Sequence, residues 1–298
     1  MEPLKNHILN KEALYKQVPK PVRKPAWLKV NLPEGSNYRY IREMVSRSGL
    51  HTICESGRCP NLAECWGLGT ATFMILGDIC TRSCKFCATK TGRPLPPDNE
   101  EPGKVAGMVK ELHLKHVVLT SVTRDDLPDG GAAIWADVIR KIRYVNPGVT
   151  IETLIPDFGG QTQNLQVVID EKPDVISHNL ETVERLTQVV RSGAMYLRSL
   201  QVLKQVADSG IVSKSGLMVG LGETDEEVLN LMDDLLNAGC SVLTIGQYLQ
   251  PTKAHLPVQE YISPWKFENY KSIGLSKGFR IVESKPLVRS SYHAEKHI

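Results

Sequence analysis

Thr70-Ala-Thr-Phe-Met-Ile-Leu-Gly-Asp-Ile-Cys-Thr-Arg-Ser-Cys-Lys-Phe-Cys87 joins an apolar run to three closely spaced cysteines. The run Thr70–Leu76 reads as a buried strand, and Cys80-x3-Cys84-x2-Cys87 begins four residues beyond it. Downstream, comparable runs recur at His116–Val122, Val149–Ile155, Asp174–Asn179, Lys214–Leu221 and Ser241–Leu249. Helical spacing occupies the intervals, as at Lys104–Leu114, Ala132–Tyr144, Leu197–Ser209 and Asp225–Ala238. Strands alternating with helices predict parallel pairing through right-handed crossovers, in an open sheet or a curled barrel. Six units are too few for a complete eight-stranded barrel. The expected fold class is therefore α/β, a partial (β/α)6 TIM-like barrel whose site collects at the carboxyl ends of its strands. The second cysteine group starts at that end.

Around this core the chain divides into four expected parts. Residues 1–26 are polar and carry Pro19, Pro21 and Pro25, which predicts an extended arm. Residues 27–69 form an extension with few strand signals. The barrel occupies 70–283, and after a short apolar run, Phe279–Val282, a tail over 284–298 is expected to close the site. The 298 residues are ordinary for a soluble protein, at 41% hydrophobic and 23% charged. A net charge of +3 argues against nucleic acid as the main partner. Neither a signal peptide nor an apolar run of about 18 residues is evident, so no membrane contact and a cytoplasmic location are expected. Without export there is little reason to read the cysteines as disulfides.

Six of the seven cysteines lie between Cys54 and Cys87, as two triplets. The first is Cys54-x4-Cys59-x5-Cys65. A cubic iron–sulfur cluster takes four protein ligands, so a triplet leaves one corner open for other chemistry. Zinc sites favour paired knuckles. Cys54-x4-Cys59 and Cys84-x2-Cys87 fit that pattern, each with a third cysteine left nearby, and a fourth ligand such as His51 would be needed. No His-Glu-x-x-His helix is present. A zinc-stabilised binding module is the alternative of a different class.

The spacing Cys80-x3-Cys84-x2-Cys87, with the aromatic Phe86 before its last cysteine, resembles the radical S-adenosylmethionine (SAM) superfamily. The added Cys54-x4-Cys59-x5-Cys65 resembles the lipoyl synthase family, and the likeness runs from about Trp27 to His293. It includes Thr120-Ser-Val-Thr-Arg-Asp-Asp-Leu-Pro-Asp-Gly-Gly131, His178-Asn-Leu-Glu181, Lys214-Ser-Gly-Leu-Met-Val-Gly-Leu-Gly-Glu-Thr224 and Arg289-Ser-Ser-Tyr292. The resemblance implies two [4Fe–4S] clusters and SAM as cofactors. Cys80, Cys84 and Cys87 would hold the cluster that cleaves SAM to a 5′-deoxyadenosyl radical. Cys54, Cys59 and Cys65 would hold an auxiliary cluster that donates sulfur to C6 and C8 of an octanoyl-lysine. A serine of the C-terminal motif completes that cluster in the family, here Ser291, with Ser290 the alternative. Implied partners are an octanoylated carrier (a 2-oxoacid dehydrogenase E2 domain or glycine cleavage H protein), a low-potential donor such as ferredoxin or flavodoxin, and an iron–sulfur carrier. Another sulfur-inserting or thiomethylating radical enzyme is the alternative within the same chemistry. The triplet's place ahead of the radical motif favours the lipoyl reading.

Smaller signals have bland readings beside functional ones. Gly216, Met218 and Gly220 on the fifth strand suit close backbone approach to SAM; the competing reading is a tight turn followed by a helix capped by Thr224. Asn179, Glu181 and Arg198 suit ribose or carboxylate contact, and Thr120 and Ser121 suit the methionine amine. Helix caps and ion pairs are the plainer roles. Asp125, Asp126 and Asp129 read as turn and cap residues. Cys240 reads as a small buried residue.

Overall fold

The computed structural model describes residues 23–30, 36–67 and 70–298. Nearly all of the expected arm, 1–22 of 1–26, lies outside the described residues. The extension contains three helices, α1 (Ser36–Ser48), α2 (Ile53–Ser56) and α3 (Leu62–Gly67), with strand β1 (His51–Thr52) between the first two. The barrel follows as β2 (Thr72–Ile75), a small two-stranded piece β3 (Ile79–Cys80) and β4 (Lys90–Thr91), α4 (Glu101–Glu111), β5 (His116–Ser121), α5 (Ala132–Val145) and β6 (Thr150–Leu154). It continues through α6 (Thr162–Asp170), β7 (Val175–Ser177), α7 (Glu184–Val190), α8 (Tyr196–Asp208), β8 (Val212–Val219), α9 (Asp225–Asn237), β9 (Val242–Gln247), α10 (Pro264–Lys277) and β10 (Ile281–Ser284).

Each expected strand run contains a strand. The sheet order is β1-β2-β5-β6-β7-β8-β9-β10, with only the β1–β2 pair antiparallel. Met74 of β2 and Gly246 of β9 line the same cavity. The sheet therefore curls, but its edge strands β1 and β10 do not pair, which leaves a partial barrel. The expected count of six is exceeded: β10 adds a seventh parallel strand. Its four residues are too short to read as a full unit.

The main apolar packing lies between the sheet and its helices. Leu217 and Val219 of β8 share one apolar cluster with Val228, Leu231 and Leu235 of α9. The alternate residues Gly216 and Met218 face inward and line the cavity, as strand periodicity requires. Helix ends follow local chemistry. Thr224 and Glu227 form a reciprocal capping box on α9. Pro102 sits in the first turn of α4, which starts three residues before the expected Lys104.

The amino ends of the strands form a polar floor. Lys214 Nζ donates to both Glu152 oxygens at 2.7 and 2.8 Å, and Ser177 Oγ donates to Glu152 at 2.7 Å, all without solvent exposure. The tail returns to this floor after crossing the mouth. His297 is fully buried and its carbonyl accepts from Arg280 at 2.5 Å, yet neither ring nitrogen has a partner among the described residues. Burial, reinforced by Lys214, His116, His293 and Arg280, pushes its pKa down to about 3. The folded chain thus binds fewer protons here than the unfolded chain, whose imidazole titrates near about 6.5. Stability attributable to His297 is full above about pH 6.5 and falls as pH drops toward about 3, by at most about 1.4 kcal/mol per pH unit. A His297→Leu variant should flatten this part of the profile. Urea unfolding of both proteins from pH 7 to pH 4 measures it, and parallel profiles would show that His297 is not the responsible group.

Candidate active site

At the carboxyl end of β2 the chain turns through Leu76 and Gly77, both at positive φ, of 68° and 89°. This reversal delivers Cys80 on β3 and sends the loop with Cys84 and Cys87 back to β4. Backbone N–H groups of Arg82 and Thr123 each point at Cys80 Sγ, at 3.4 Å. The loop is fixed by Lys85 N to Val190 O at 2.9 Å and by an arginine clamp. Arg82 makes two 2.8 Å bonds to Asp125 and a 2.7 Å bond to Asp157. Burial alone would raise the Asp157 carboxyl, but the Arg82 guanidinium holds it at about 2. Asp125 therefore does more than the expected turn chemistry. Asp129 does cap α5, accepting from Gly131 N and Ala133 N at 2.9 Å. Asp126 accepts from buried Arg124.

The first triplet is built by α2, the following turn and α3. Thr52 caps α2, Cys59 N returns to Cys54 O at 3.0 Å, and Cys65 lies within α3. Burial and then the neighbouring Cys59 push the Cys54 thiol up to about 11. Burial, then Cys59 and Cys54, push Cys65 up to about 12. Burial likewise raises Cys59, Cys87 and, to about 11, Cys84. All seven cysteines are free thiols. Cys240 is buried against Ser213 O and Val242 O, apart from either triplet.

Both groups open on one cavity of about 500 Å³. Five triplet cysteines line it; Cys65, near Cys59 and Cys54, is not part of the lining. Thr120, Ser121, Asn179, Glu181, Gly216 and Met218 are brought to the same wall, as are Ser290 and Ser291. The structure does not bring Arg198 or Gly220 there. Arg198, on α8, pairs with Asp157 at 3.3 Å and lines a separate pocket with Gln161 and Leu165. Arg191, which the sequence did not single out, lines the cavity instead. Gly220 has φ +98° and is packed against Gln247 and Glu260; its N–H donates to Glu223 in a self-contained turn. That matches the plainer reading of its motif.

Several features suit a polar ligand. Asn179 Nδ2 donates to Ser290 Oγ at 2.7 Å and to Glu181 Oε1 at 3.0 Å, while its buried Oδ1 has no partner among the described residues. Ser121 Oγ is buried and equally unpartnered there. A Cβ on Gly216 would stand 2.7 Å from Asn179 Oδ1 and 2.9 Å from Thr244 Oγ1, so only glycine leaves this wall open. Burial raises the Glu181 carboxyl, opposed by Arg191, Asn179 and Arg289. Among the described residues no three Cys, His, Asp or Glu side chains converge tightly enough for a single metal ion. A multi-iron cube places each thiolate on a different iron, so its ligands stand further apart. The soft, all-thiol donor set with one side of each triplet facing the cavity fits such a cube better than zinc.

The radical SAM superfamily model matches residues 74–235, and that for the N-terminal domain of lipoyl synthase matches residues 4–59. A protein of Phocaeicola vulgatus named lipoyl synthase is 62% identical over 277 residues, which cover 93% of this chain and 98% of the relative. A mitochondrial lipoyl synthase of Nematostella vectensis is 59% identical over 276 residues, covering 92% and 95%. Among solved structures, the FeFe-hydrogenase maturase HydG of Carboxydothermus hydrogenoformans has a TM-score of 0.58 at 14% identity, covering 83% of this chain and 65% of that one. Streptococcus suis SuiB bound to SAM has a TM-score of 0.55 at 11% identity, covering 86% and 58%. At those identities the two structures speak to the fold alone.

The clamp on the second triplet carries its own prediction. Arg82→Gln takes from the buried Asp157 carboxylate its shorter guanidinium contact, leaving Arg198 at 3.3 Å, and should destabilise the chain by about 2 kcal/mol, because a buried charge that loses its better partner is costly. Adding Asp157→Asn should recover more than half of that loss. Urea titration at pH 7 measures both, and an undiminished loss in the double variant would remove the charge explanation.

Proposed function

The chain belongs to the lipoyl synthase family of the radical SAM superfamily, and we propose that each thiol triplet holds one of that family's two [4Fe–4S] clusters. The activity is sulfur insertion at C6 and C8 of an octanoyl chain carried on a lysine of a lipoyl domain. Bound clusters and SAM supply the hydrogen-abstracting radical and the sulfide. The protein's residues supply binding, orientation and exclusion of water.

Cys80, Cys84 and Cys87 would hold the SAM-binding cluster, and Asn179, Glu181 and Gly216 line the same cavity. The free Asn179 Oδ1 and Ser121 Oγ are hydrogen-bonding positions for SAM, and Thr120 stands beside them. Glycine at 216 permits that close approach. Cys54, Cys59 and Cys65 would hold the auxiliary cluster. Ser291 is its fourth ligand in this reading, because the Ser290 hydroxyl is engaged by Asn179 whereas no hydrogen bond to the Ser291 hydroxyl is found among the described residues. Met74, Phe86, Leu154 and Met218 give the cavity an apolar lining suited to a fatty chain. The observation that carries the reading is the opening of both thiol groups on one cavity, where a single carbon can face each in turn.

The carrier is proposed to be an E2 or H-protein lipoyl domain, with ferredoxin or flavodoxin as donor and an iron–sulfur carrier to rebuild the spent cluster. No described helix is long and apolar enough to cross a membrane; a cytoplasmic location is proposed. The proposed domain limits are 27–69 for the extension, 70–283 for the barrel and 284–298 for the tail.

Alanine at Cys80, Cys84 or Cys87 should abolish SAM cleavage and lower iron from about eight to about four per chain. Alanine at Cys54, Cys59 or Cys65 should leave cleavage and stop sulfur insertion. Ser291→Ala should damage insertion alone. Lipoyl product from a first-triplet variant would falsify the sulfur-donor assignment. Gly216→Ala, by pushing Asn179 into the ligand's place, should weaken SAM binding about tenfold or more. Calorimetric titration of the anaerobic enzyme reads this, and unchanged affinity would place SAM elsewhere.

A further inference from the structure

Both cysteine loops are short, and among the described residues no hydrogen bond joins residues 54–65 directly to residues 80–87. One segment reaches both. It is the loop 250–256, which follows β9 and contributes Gln250 and Pro251 to the cavity wall. Toward the first triplet, Arg58 Nη1 donates to Pro251 O at 3.2 Å, one residue from Cys59. Toward the second, His255 Nε2 lies 2.9 Å from Cys87 O, and Leu256 N donates to Lys85 O at 3.2 Å.

The loop is internally braced. Thr252 Oγ1 accepts from Ala254 N at 3.2 Å and lies 2.8 Å from His255 Nδ1. His255 N donates to Thr252 O at 3.0 Å, and Gln250 Nε2 donates to His255 O at 2.8 Å. Tyr248 OH donates to Leu256 O at 2.7 Å. These contacts also fix the imidazole tautomer. A carbonyl only accepts, so Nε2 carries the hydrogen facing Cys87 O. Nδ1 then accepts from the Thr252 hydroxyl. One ring nitrogen is thus committed to the Cys87 turn and the other to the loop that carries the ring.

We propose that the loop 250–256 is a strut that fixes the second thiol triplet relative to the first, with His255 as its positioning residue. The proposal rests on the reading that both triplets hold clusters. In that setting, the carbon made reactive at one wall must meet sulfide at the other before it is quenched. A displacement of about 1 Å is enough to cost such a reaction heavily. His255 touches neither substrate nor a reacting atom in this scheme. It acts through the Cys87 backbone.

The test begins on the metal-free full chain, by hydrogen–deuterium exchange under reducing conditions. His255→Phe removes the donor, whereas His255→Gln offers an amide N–H in its place. Peptides spanning residues 83–90 and 250–258 should exchange about fivefold faster in His255→Phe, the scale of one lost hydrogen bond. His255→Gln should recover most of that protection. Thr252→Val should shift the same peptides less, and unchanged exchange in α9 checks that each variant is folded. In loaded enzyme, 5′-deoxyadenosine released per sulfur inserted should rise severalfold in His255→Phe and fall back in His255→Gln. Unaltered exchange in His255→Phe, or faster exchange with an unaltered ratio, overturns the strut. The cluster assignment fails by a different sign, an iron content short of two clusters, which leaves the exchange result standing.

Discussion

The site is constrained above all by the burial of ionisable sulfur. Thiolates, not thiols, bind metal, yet withdrawal from water and mutual proximity push five of these cysteines toward the neutral form. The chain opposes this with two guanidinium groups, the buried Arg191 and the half-buried Arg289. Arg289 favours the thiolate at Cys59, and Arg191 does so at Cys84. A buried guanidinium is itself expensive unless paired. Glu181 stands near both arginines and serves them in common. The remaining positive charge comes with the metal, so cluster loading and proton release are linked in this fold.

The partial barrel explains how the pieces meet. In a closed barrel the strand edges would be consumed by pairing. Here two edges stay open, and each receives one part of the site. The extension enters beside β1, which pairs antiparallel with β2 and leads into Cys54. The tail leaves β10 and crosses the mouth. The two are then tied to each other, by Asn61 Nδ2 to Leu287 O at 2.7 Å and by Tyr292 OH to Glu64 at 2.8 Å. Residues more than 220 positions apart thus meet because the sheet stops short of closure.

What the sequence disclosed follows from the range of the interactions. Strands and the helices α4, α5, α8 and α9 repeat an apolar signal over many residues, and they were legible. In α1 only Ile41 and Val45 are buried, and in α10 only Phe267, Tyr270 and Gly274, too sparse a pattern to stand out. The cysteine spacing is local, so its chemistry was legible too. Side-chain direction was not. Arg191 and Arg198 follow the same strand, and the loop between α7 and α8 decides which of them turns inward. The partners of Arg82 and His255 are equally remote: Asp157 is 75 residues from Arg82, and Cys87 is 168 residues from His255. Asp125 sits in a turn sequence, but its use is set by an arginine 43 residues earlier.

The tail shows why a weak ligand can serve on the auxiliary cluster in the reading proposed. A serine oxygen is a poor match for iron beside thiolates, so little binding energy is available to order the segment that carries it. Fixing one residue costs about 1–2 kcal/mol of conformational entropy. A free tail would need far more than a single serine bond returns. This tail is ordered by other means. Asn61 and Glu64 hold it at the mouth, Asn179 holds Ser290, and His297 is sunk into the barrel floor beside Arg280. With the backbone already fixed, the Ser291 oxygen would add its one bond to the cluster without having to order the strap that presents it.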